Sequence, residues 1–401
     1  MRAHLLVILI ATTLLKQLSF APTSNLSYLT NDSCPDIPQI DAEMRAYMQK
    51  NGFVGAQIAV MRHDSLLYAK GYGWADRDKG QQMQPNMTMR IASVSKLVTA
   101  VGIMKLVEEG MLSLDSKIFS ADGILADDPL AKEVRDPLAK RITVEHLLRH
   151  KGGFSARRGD PMFTTGVTDG RMAVTRALHQ KLAFMPGGSQ EYSNVGYFIL
   201  SLVIEKVTGE DYERWMLENI LRPMQCYNFH IAGNYLAQRK PNEVHYYMHQ
   251  GGEFKPDYHG NGKIVEGCYG ANNINGTKGA GAWATTAAEL CRMVAGIDYD
   301  MGIRAILDRE SVDLMTEYFD RETFSLGWND TNQEGVWTRT GSFGGTTAMI
   351  KYFTATGDCW VILTNTSTYM GPHIASRTSA LINRLREKSL DKLPSKDLFY
   401  K

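Results

Sequence analysis

Apolar and polar residues recur along this chain with two different periods, and the periods are grouped. Between residues 55 and 76, GAQIAVMRHDSLLYAKGYGWAD forms two alternating stretches around His63-Asp64, the pattern of a β-hairpin. Ahead of it, IDAEMRAYMQKNG carries an Asp near its start and Gly52 at its end, which predicts a helix. In SVSKLVTAVGIMKLVEEG, Leu97, Val98, Val101, Met104, Leu106 and Val107 fall at helical spacing, and the pattern stops at Gly110. From about 113 to 285 helices and long loops dominate. ITVEHLLRH is a short amphipathic helix, SNVGYFILSLVIEKVTG a strongly apolar one ended by Gly209, and DYERWMLENIL opens with an acidic turn. Strand patterns return in GVWTRTG, GTTAMIKYFTA and CWVILTN, rich in β-branched and aromatic residues, and HIASRTSALINRLREKSL closes the core as a helix. Strands at both ends with helices between predict an α/β fold. Its antiparallel sheet joins the two chain ends and is flanked by helices, with an all-α insertion on one side.

Composition narrows the function classes. The 401 residues include 44 basic and 43 acidic side chains, a formal net charge of +1, which argues against nucleic acid or an anionic membrane surface as partner. Arg2, the apolar run Leu5–Leu15, Lys16 and the small Ala21 suit a secretory signal over residues 1–21, followed by a linker over 22–38. The run is too short to cross a bilayer, which needs about 20 residues. Pro22 directly after Ala21 leaves the cut site open. The expected division continues with a domain over 39–388, its insertion at about 113–285, and a tail over 389–401. The expected location is secreted or periplasmic, with no membrane span remaining after signal removal. Five cysteines (Cys34, Cys226, Cys268, Cys291, Cys359) without a CxxC pair indicate neither a metal knuckle nor a disulfide scaffold.

The chemistry begins at RIASVSKLVTA. Ser93 and Lys96 are three residues apart at the front of a buried-looking helix, so the hydroxyl and the amine share a face. A serine beside a lysine is one way to build a nucleophile without histidine, and a helix N-terminus supplies N–H groups for an oxyanion. A second copy of the spacing, Ser389-Leu-Asp-Lys392, lies in the polar end of the last helix and reads as structural, on a solvated face. Tyr192-Ser193-Asn194 opens another apolar helix. A phenol near a lysine can carry a proton, and Asn194 can hold both the lysine and a substrate carbonyl. In WTRTGSFGG, Arg339, Thr340, Gly341 and Ser342 lie in a strand ahead of glycines. Gly341 leaves room for a substrate backbone, and the N–H of Ser342 can join that of Ser93 as oxyanion donor. His146 and His150, at i and i+4 in HLLRH, lack the glutamate of a metalloprotease helix, so no metal is expected. The glycine runs at 71–73 and 279–281 lack the surroundings of a phosphate loop.

Together and in this order, SxxK, YSN and RTG resemble the class C β-lactamase and D-alanyl-D-alanine carboxypeptidase family of penicillin-recognising serine enzymes. That family includes related esterases, D-amino-acid peptidases and acyltransferases. The resemblance runs from about residue 40 to 385 and extends to ITVEHLLRHKGGF, GAGAWATTAAEL and TFSLGW. It implies an α/β sandwich with an all-α insertion. It also implies acylation of Ser93, activation by Lys96, proton transfer by Tyr192, substrate contacts from Asn194, Arg339, Thr340, Gly341 and Ser342, and no cofactor. Arg339 departs from the Lys or His usual before Thr-Gly. Its planar fork favours a carboxylate, so a carboxylate-bearing substrate is expected. That change, and KGGF at 151–154, weaken any transfer of β-lactam hydrolysis. The expected partner is a small-molecule or peptide substrate carrying an ester, amide or β-lactam carbonyl. The alternatives are an acyltransferase, a peptidase or carboxypeptidase on D-amino-acid cell-wall peptides, and a catalytically silent peptidoglycan-binding protein. Oligomeric state is left open.

Overall fold

All seven residues of Asp358–Thr364 are buried, so this strand lies inside a sheet covered on both faces. A computed structural model describes residues 25–400 of the chain apart from 158, 301, 303 and 304, and the expected signal segment falls outside these. The strands are β1 (Gly55–Arg62), β2 (Ser65–Asp76), β3 (Gln81–Gln82), β4 (Met89–Arg90), β5 (His230–Ile231), β6 (Phe254–Pro256), β7 (Ile264–Glu266), β8 (Trp283–Thr285), β9 (Asp330–Thr331), β10 (Val336–Phe343), β11 (Thr346–Phe353) and β12 (Asp358–Thr364). The helices are α1 (Pro38–Asn51), α2 (Ser95–Glu108), α3 (Val144–Leu148), α4 (Gly170–Leu178), α5 (Asn194–Thr208), α6 (Tyr212–Met216), α7 (Ala287–Val294), α8 (Arg309–Thr316) and α9 (Ile374–Ser389).

The main sheet runs β3-β2-β1-β12-β11-β10-β9, with every neighbour antiparallel. The two chain ends meet where β1 pairs with β12, Ala56 opposite Thr364, as the strand pattern predicts. Alternation along β12 explains the two covered faces. Asp358 points to Arg386 of α9, whereas its neighbour Cys359 meets Cys291 of α7. The β1–β2 turn places His63 and Asp64 at φ 45° and 59°, the two left-handed residues of a tight hairpin turn that matches strand twist. Gly52 and Gly209 end α1 and α5 at φ 69° and 72°, where a side chain would be strained. Ser193 caps α5 by accepting the Gly196 N–H at 3.1 Å.

Three expectations need refinement. The 113–285 segment is not wholly helical: β5 and β8 join β4 in a small sheet, and β6 pairs with β7. The stretch read as linker contributes Leu26 and Leu29 to the core, both fully buried. The C-terminal tail also docks, with Phe399 buried and the Leu398 N–H donating to Leu66 at 2.7 Å. Short apolar anchors in polar segments carry no periodicity, which hides them. No helix among the described residues is long and apolar enough to cross a membrane.

Asp358 joins the sheet to α9. It accepts from Trp360 Nε1 at 2.7 Å and Arg386 Nε at 2.8 Å, and bonds Thr356 Oγ1. Removing it strands a buried indole N–H and half a guanidinium. Asp358→Ala should therefore cost roughly 3 kcal/mol of unfolding free energy in a urea titration. A loss under about 0.5 kcal/mol, as for an ordinary surface substitution, would refute this account of the joint.

Candidate active site

Ser93 lies in a single 3₁₀ turn, Ala92–Val94, that feeds directly into α2. The preceding residue, Ala92, is buried and held at φ 47°. A left-handed alanine costs on the order of 1 kcal/mol, so the turn is kept by its surroundings. Two anchors are visible. The Ile91 N–H donates to Trp283 of β8 at 3.0 Å. Arg339 of β10 donates from Nε and Nη2 to the Ser93 carbonyl at 2.9 and 2.6 Å.

The serine hydroxyl faces a cleft of about 340 Å³. Tyr192, just ahead of α5, donates its hydroxyl to Ser93 Oγ at 2.6 Å. Lys96 Nζ is 3.3 Å from the same oxygen and fully buried. It also donates to Asn194 Oδ1 at 2.6 Å and to the Ala280 carbonyl at 2.5 Å. Asn194 is oriented in turn by Asp160, whose Oδ2 accepts from Nδ2 at 2.6 Å. Ser93, Lys96, Tyr192 and Asn194 thus meet as the sequence predicts.

Burial, reinforced by the Arg339 charge and opposed by Asp160, holds the Lys96 amine well below its ordinary pKa. Burial raises the Tyr192 phenol, with Arg339 and the Ser93 hydrogen bond pulling the other way. The resting arrangement is therefore a neutral phenol beside an amine that gives up its proton readily. In this state the amine can accept a proton and the phenol can donate one.

The third motif divides between two faces. Arg339 turns toward the Ser93 turn; Thr340, Gly341 and Ser342 line the cleft, with Gly341 also packed on that turn. Arg339 has no exposed surface; Nε and Nη2 donate to the Ser93 carbonyl, while Nη1 is buried without a hydrogen-bond partner. The expected pairing of this residue with a substrate carboxylate is thus not what the geometry provides. Gly341 lies along the cleft and also packs on the turn: a Cβ there would collide with the Ile91 carbonyl and lie 2.8 Å from the Ser93 nitrogen. Thr340 donates its N–H to Asn329 Oδ1 at 2.7 Å, away from β11. By strand alternation the Ser342 N–H leaves the same edge, which β9 covers only at Trp337 and Thr338. Ser342 and Ser93 line the same cleft.

Several contributors escape sequence reading. Ala280 acts through its carbonyl, which has no residue signature, and Asp160 sits in a loop far from any motif. His150 is buried, accepts the Ser193 N–H on Nδ1 at 3.1 Å, and packs on the rings of Tyr192 and Phe324 at 4.6 Å each. His146 instead accepts the Thr143 N–H at 3.2 Å, so the two histidines serve different backbone groups. The second SxxK copy is structural, though not solvated at its serine: Ser389 is buried and donates to Leu385 at 2.5 Å.

An antiparallel sheet with helices on both faces, and a Ser–Lys–Tyr cluster at the edge of β10, places the chain in the class of β-lactamase folds. A family model described as Beta-lactamase matches residues 40–382, and the chain belongs to that family. It is 32% identical over 198 residues to "Protein flp" of Staphylococcus aureus (strain MW2), across 49% of this chain and 38% of that protein. It is 29% identical over 184 residues to "Esterase EstB" of Burkholderia gladioli, across 43% of this chain and 45% of that one. The chain thus spans less than half the length of these curated relatives. The D-amino acid amidase of Ochrobactrum anthropi SV3 shares the fold, with TM-score 0.70, 19% identity, and 88% and 98% of the two chains covered.

Gly341→Ala tests the fit of β10 against the turn. The added methyl should cost about 1–3 kcal/mol of stability and lower kcat/KM at least tenfold, measured by denaturation and ester hydrolysis. Wild-type values for both would show that the contact is not tight.

Proposed function

We propose that the protein hydrolyses esters or amides bearing an apolar group, through an acyl-enzyme on Ser93. The observation that carries this reading is the pair of contacts on Ser93 Oγ: a phenol donating at 2.6 Å and a buried amine at 3.3 Å. A neutral amine has two hydrogens and one lone pair. The hydrogens of Lys96 are taken by Asn194 Oδ1 and the Ala280 carbonyl, which leaves the lone pair for the serine proton. Ser93 attacks the carbonyl and its proton passes to Lys96. The N–H groups of Ser93 and Ser342 receive the oxyanion. Tyr192 protonates the leaving group and recovers its proton from Lys96 through the site. Water enters by the same route in reverse and frees the acid.

The substrate class follows from the walls. Phe163, Phe324, Phe343, Ala348 and Ile374 line the cleft, and Arg339 lies outside that lining with Nε and Nη2 on the Ser93 carbonyl. The esterase and amidase likenesses support an ester or amide carbonyl. Export is part of the proposal, supported by the charged start and apolar run before Ala21.

The deciding experiment is intact-protein mass after mixing with p-nitrophenyl butyrate. Wild type should gain one butyryl group that decays in water, and Ser93→Ala should lose hydrolysis by at least about 10³-fold and show no adduct. An adduct that persists in water and is released only by an added alcohol or amine would make the protein an acyltransferase. Full activity in Ser93→Ala would overturn the mechanism.

Lys96 must be unprotonated to act, so kcat/KM should rise with pH on a limb well below the ordinary lysine value. Arg339→Gln removes a neighbouring positive charge, which favours the charged amine and raises its pKa. The limb should therefore move to higher pH in Arg339→Gln. A limb that stays in place, or moves down, would contradict the assignment of Lys96 as base.

A further inference from the structure

The segment between α3 and α4 meets the catalytic cluster through one side chain. Asp160 stands ahead of Pro161 at the start of a 3₁₀ turn, Pro161–Phe163, and its two carboxylate oxygens serve different neighbours. Oδ1 accepts the Met162 N–H at 2.9 Å and so caps the turn. Oδ2 accepts from Asn194 Nδ2 at 2.6 Å. The turn ends in Phe163, whose ring lines the cleft and stands edge-to-face on Phe343 at 5.5 Å. Asn194 in turn presents Oδ1 to Lys96 at 2.6 Å. One carboxylate therefore reaches the apolar wall through one oxygen and the acceptor of the amine through the other.

The donor and acceptor chemistry decides what this linkage does. A primary amide carries one acceptor oxygen and one NH₂ group, so the end of Asn194 that faces Lys96 is set by what stands at its other end. A carboxylate only accepts, which turns Nδ2 toward Asp160 and Oδ1 toward the amine. With the amide reversed, two acceptors would face each other at Asp160. Lys96 would then meet a donor, which competes for the lone pair that the serine proton needs. Serine or asparagine caps a helical turn as well as aspartate does, so the turn alone does not call for an acid. Accepting from Met162 and Asn194 at once does.

We infer that Asp160 is a positioning residue, on the reading of Lys96 as base: it locks the Asn194 amide in the orientation Lys96 requires and holds the Phe163 turn against the cleft. The base and the apolar wall are thus set by one side chain. The carboxylate also acts through its charge. The titratable and charged groups around the amine are Ser93 ahead of α2, His150 after α3, Tyr192 and Tyr197 from the α5 side, Arg339 of β10, and Asp160. Burial and Arg339 disfavour the protonated amine, and Asp160 favours it. Asp160 thereby keeps Lys96 basic enough to take the serine proton.

The test is the pH profile of kcat and KM for p-nitrophenyl butyrate in Asp160→Ser, Asp160→Ala and Phe163→Ala. Loss of the negative charge favours the neutral amine. The limb on which kcat/KM rises should therefore move to lower pH in both Asp160 variants, opposite to its movement in Arg339→Gln. Their kcat above the limb should fall at least about tenfold, because Asn194 is no longer held. Serine keeps the cap, so KM should stay near wild type in Asp160→Ser, which also serves should the alanine variant not fold. KM should rise in Asp160→Ala as it does in Phe163→Ala, whose limb stays in place. A limb that responds to Arg339→Gln and stays put in both Asp160 variants would overturn this inference alone. A limb that responds to neither charge would remove Lys96 as base, and the inference with it. Equal KM values in Asp160→Ser and Asp160→Ala would overturn the hold on Phe163.

Discussion

A lysine amine sealed from water is the constraint around which the site is arranged. Lys96 has no exposed surface, and the chain supplies it with two strong acceptors from distant segments, Asn194 and the Ala280 carbonyl. Those acceptors satisfy two hydrogens and fix the direction of what remains. Burial and the Arg339 guanidinium disfavour a third proton. The amine therefore rests as a base aimed at Ser93, and aromatic rings close its other sides, Tyr192 at 4.8 Å and Tyr197 at 5.6 Å. Placing such a group requires α2, α5 and the loop before β8 to converge, so the folding of the middle segment onto the sheet is what creates the chemistry.

The nucleophile's turn is held by the same economy of contacts. A left-handed Ala92 is unfavourable alone, and the β4–β8 pairing, the Arg339 clamp and the close approach of Gly341 hold it in place. Arg339 thus acts on the reaction twice without reaching the cleft: it fixes the Ser93 carbonyl and biases the Lys96 proton. A lysine at this position has a single point of charge and cannot fork onto a carbonyl while projecting field toward the amine. That is the physical content of the departure from the usual motif.

How far the chain could be read in advance follows from the same details. Helix caps at Ser193 and Gly209, the His63-Asp64 turn and the buried run of β12 are local signals, and the fold followed from them. Ser93, Lys96, Tyr192 and Asn194 were legible because each announces its chemistry by side chain and spacing. Arg339 is read toward substrate from its forked charge and its place in the motif, neither of which says which face of β10 meets the cleft. That choice is made by the sheet's pairing with β11 and by Asn329, which captures the Thr340 N–H. Ala280 was invisible because a carbonyl belongs to every residue. Leu26 and Phe399 were missed because an isolated anchor has no period to detect.

The charge balance of the site explains why its walls are apolar. With Lys96 neutral, the guanidinium of Arg339 and the carboxylate of Asp160 offset one another across the cluster. On the proposed mechanism, attack by Ser93 creates a lysine cation and an oxyanion together, so no net charge enters the cleft during the reaction. Such a step is helped by fixed dipoles in dry surroundings and hindered by mobile water, which would stabilise both separated charges only after reorganising. Phe163 and Phe343, one from the middle segment and one from the end of β10, meet edge-to-face at 5.5 Å across the cleft wall. They bring apolar surface to the side on which substrate must lie. On the proposed mechanism a neutral, apolar acyl or leaving group completes that wall and dries the oxyanion donors, whereas an anionic group would bring its own hydration into it.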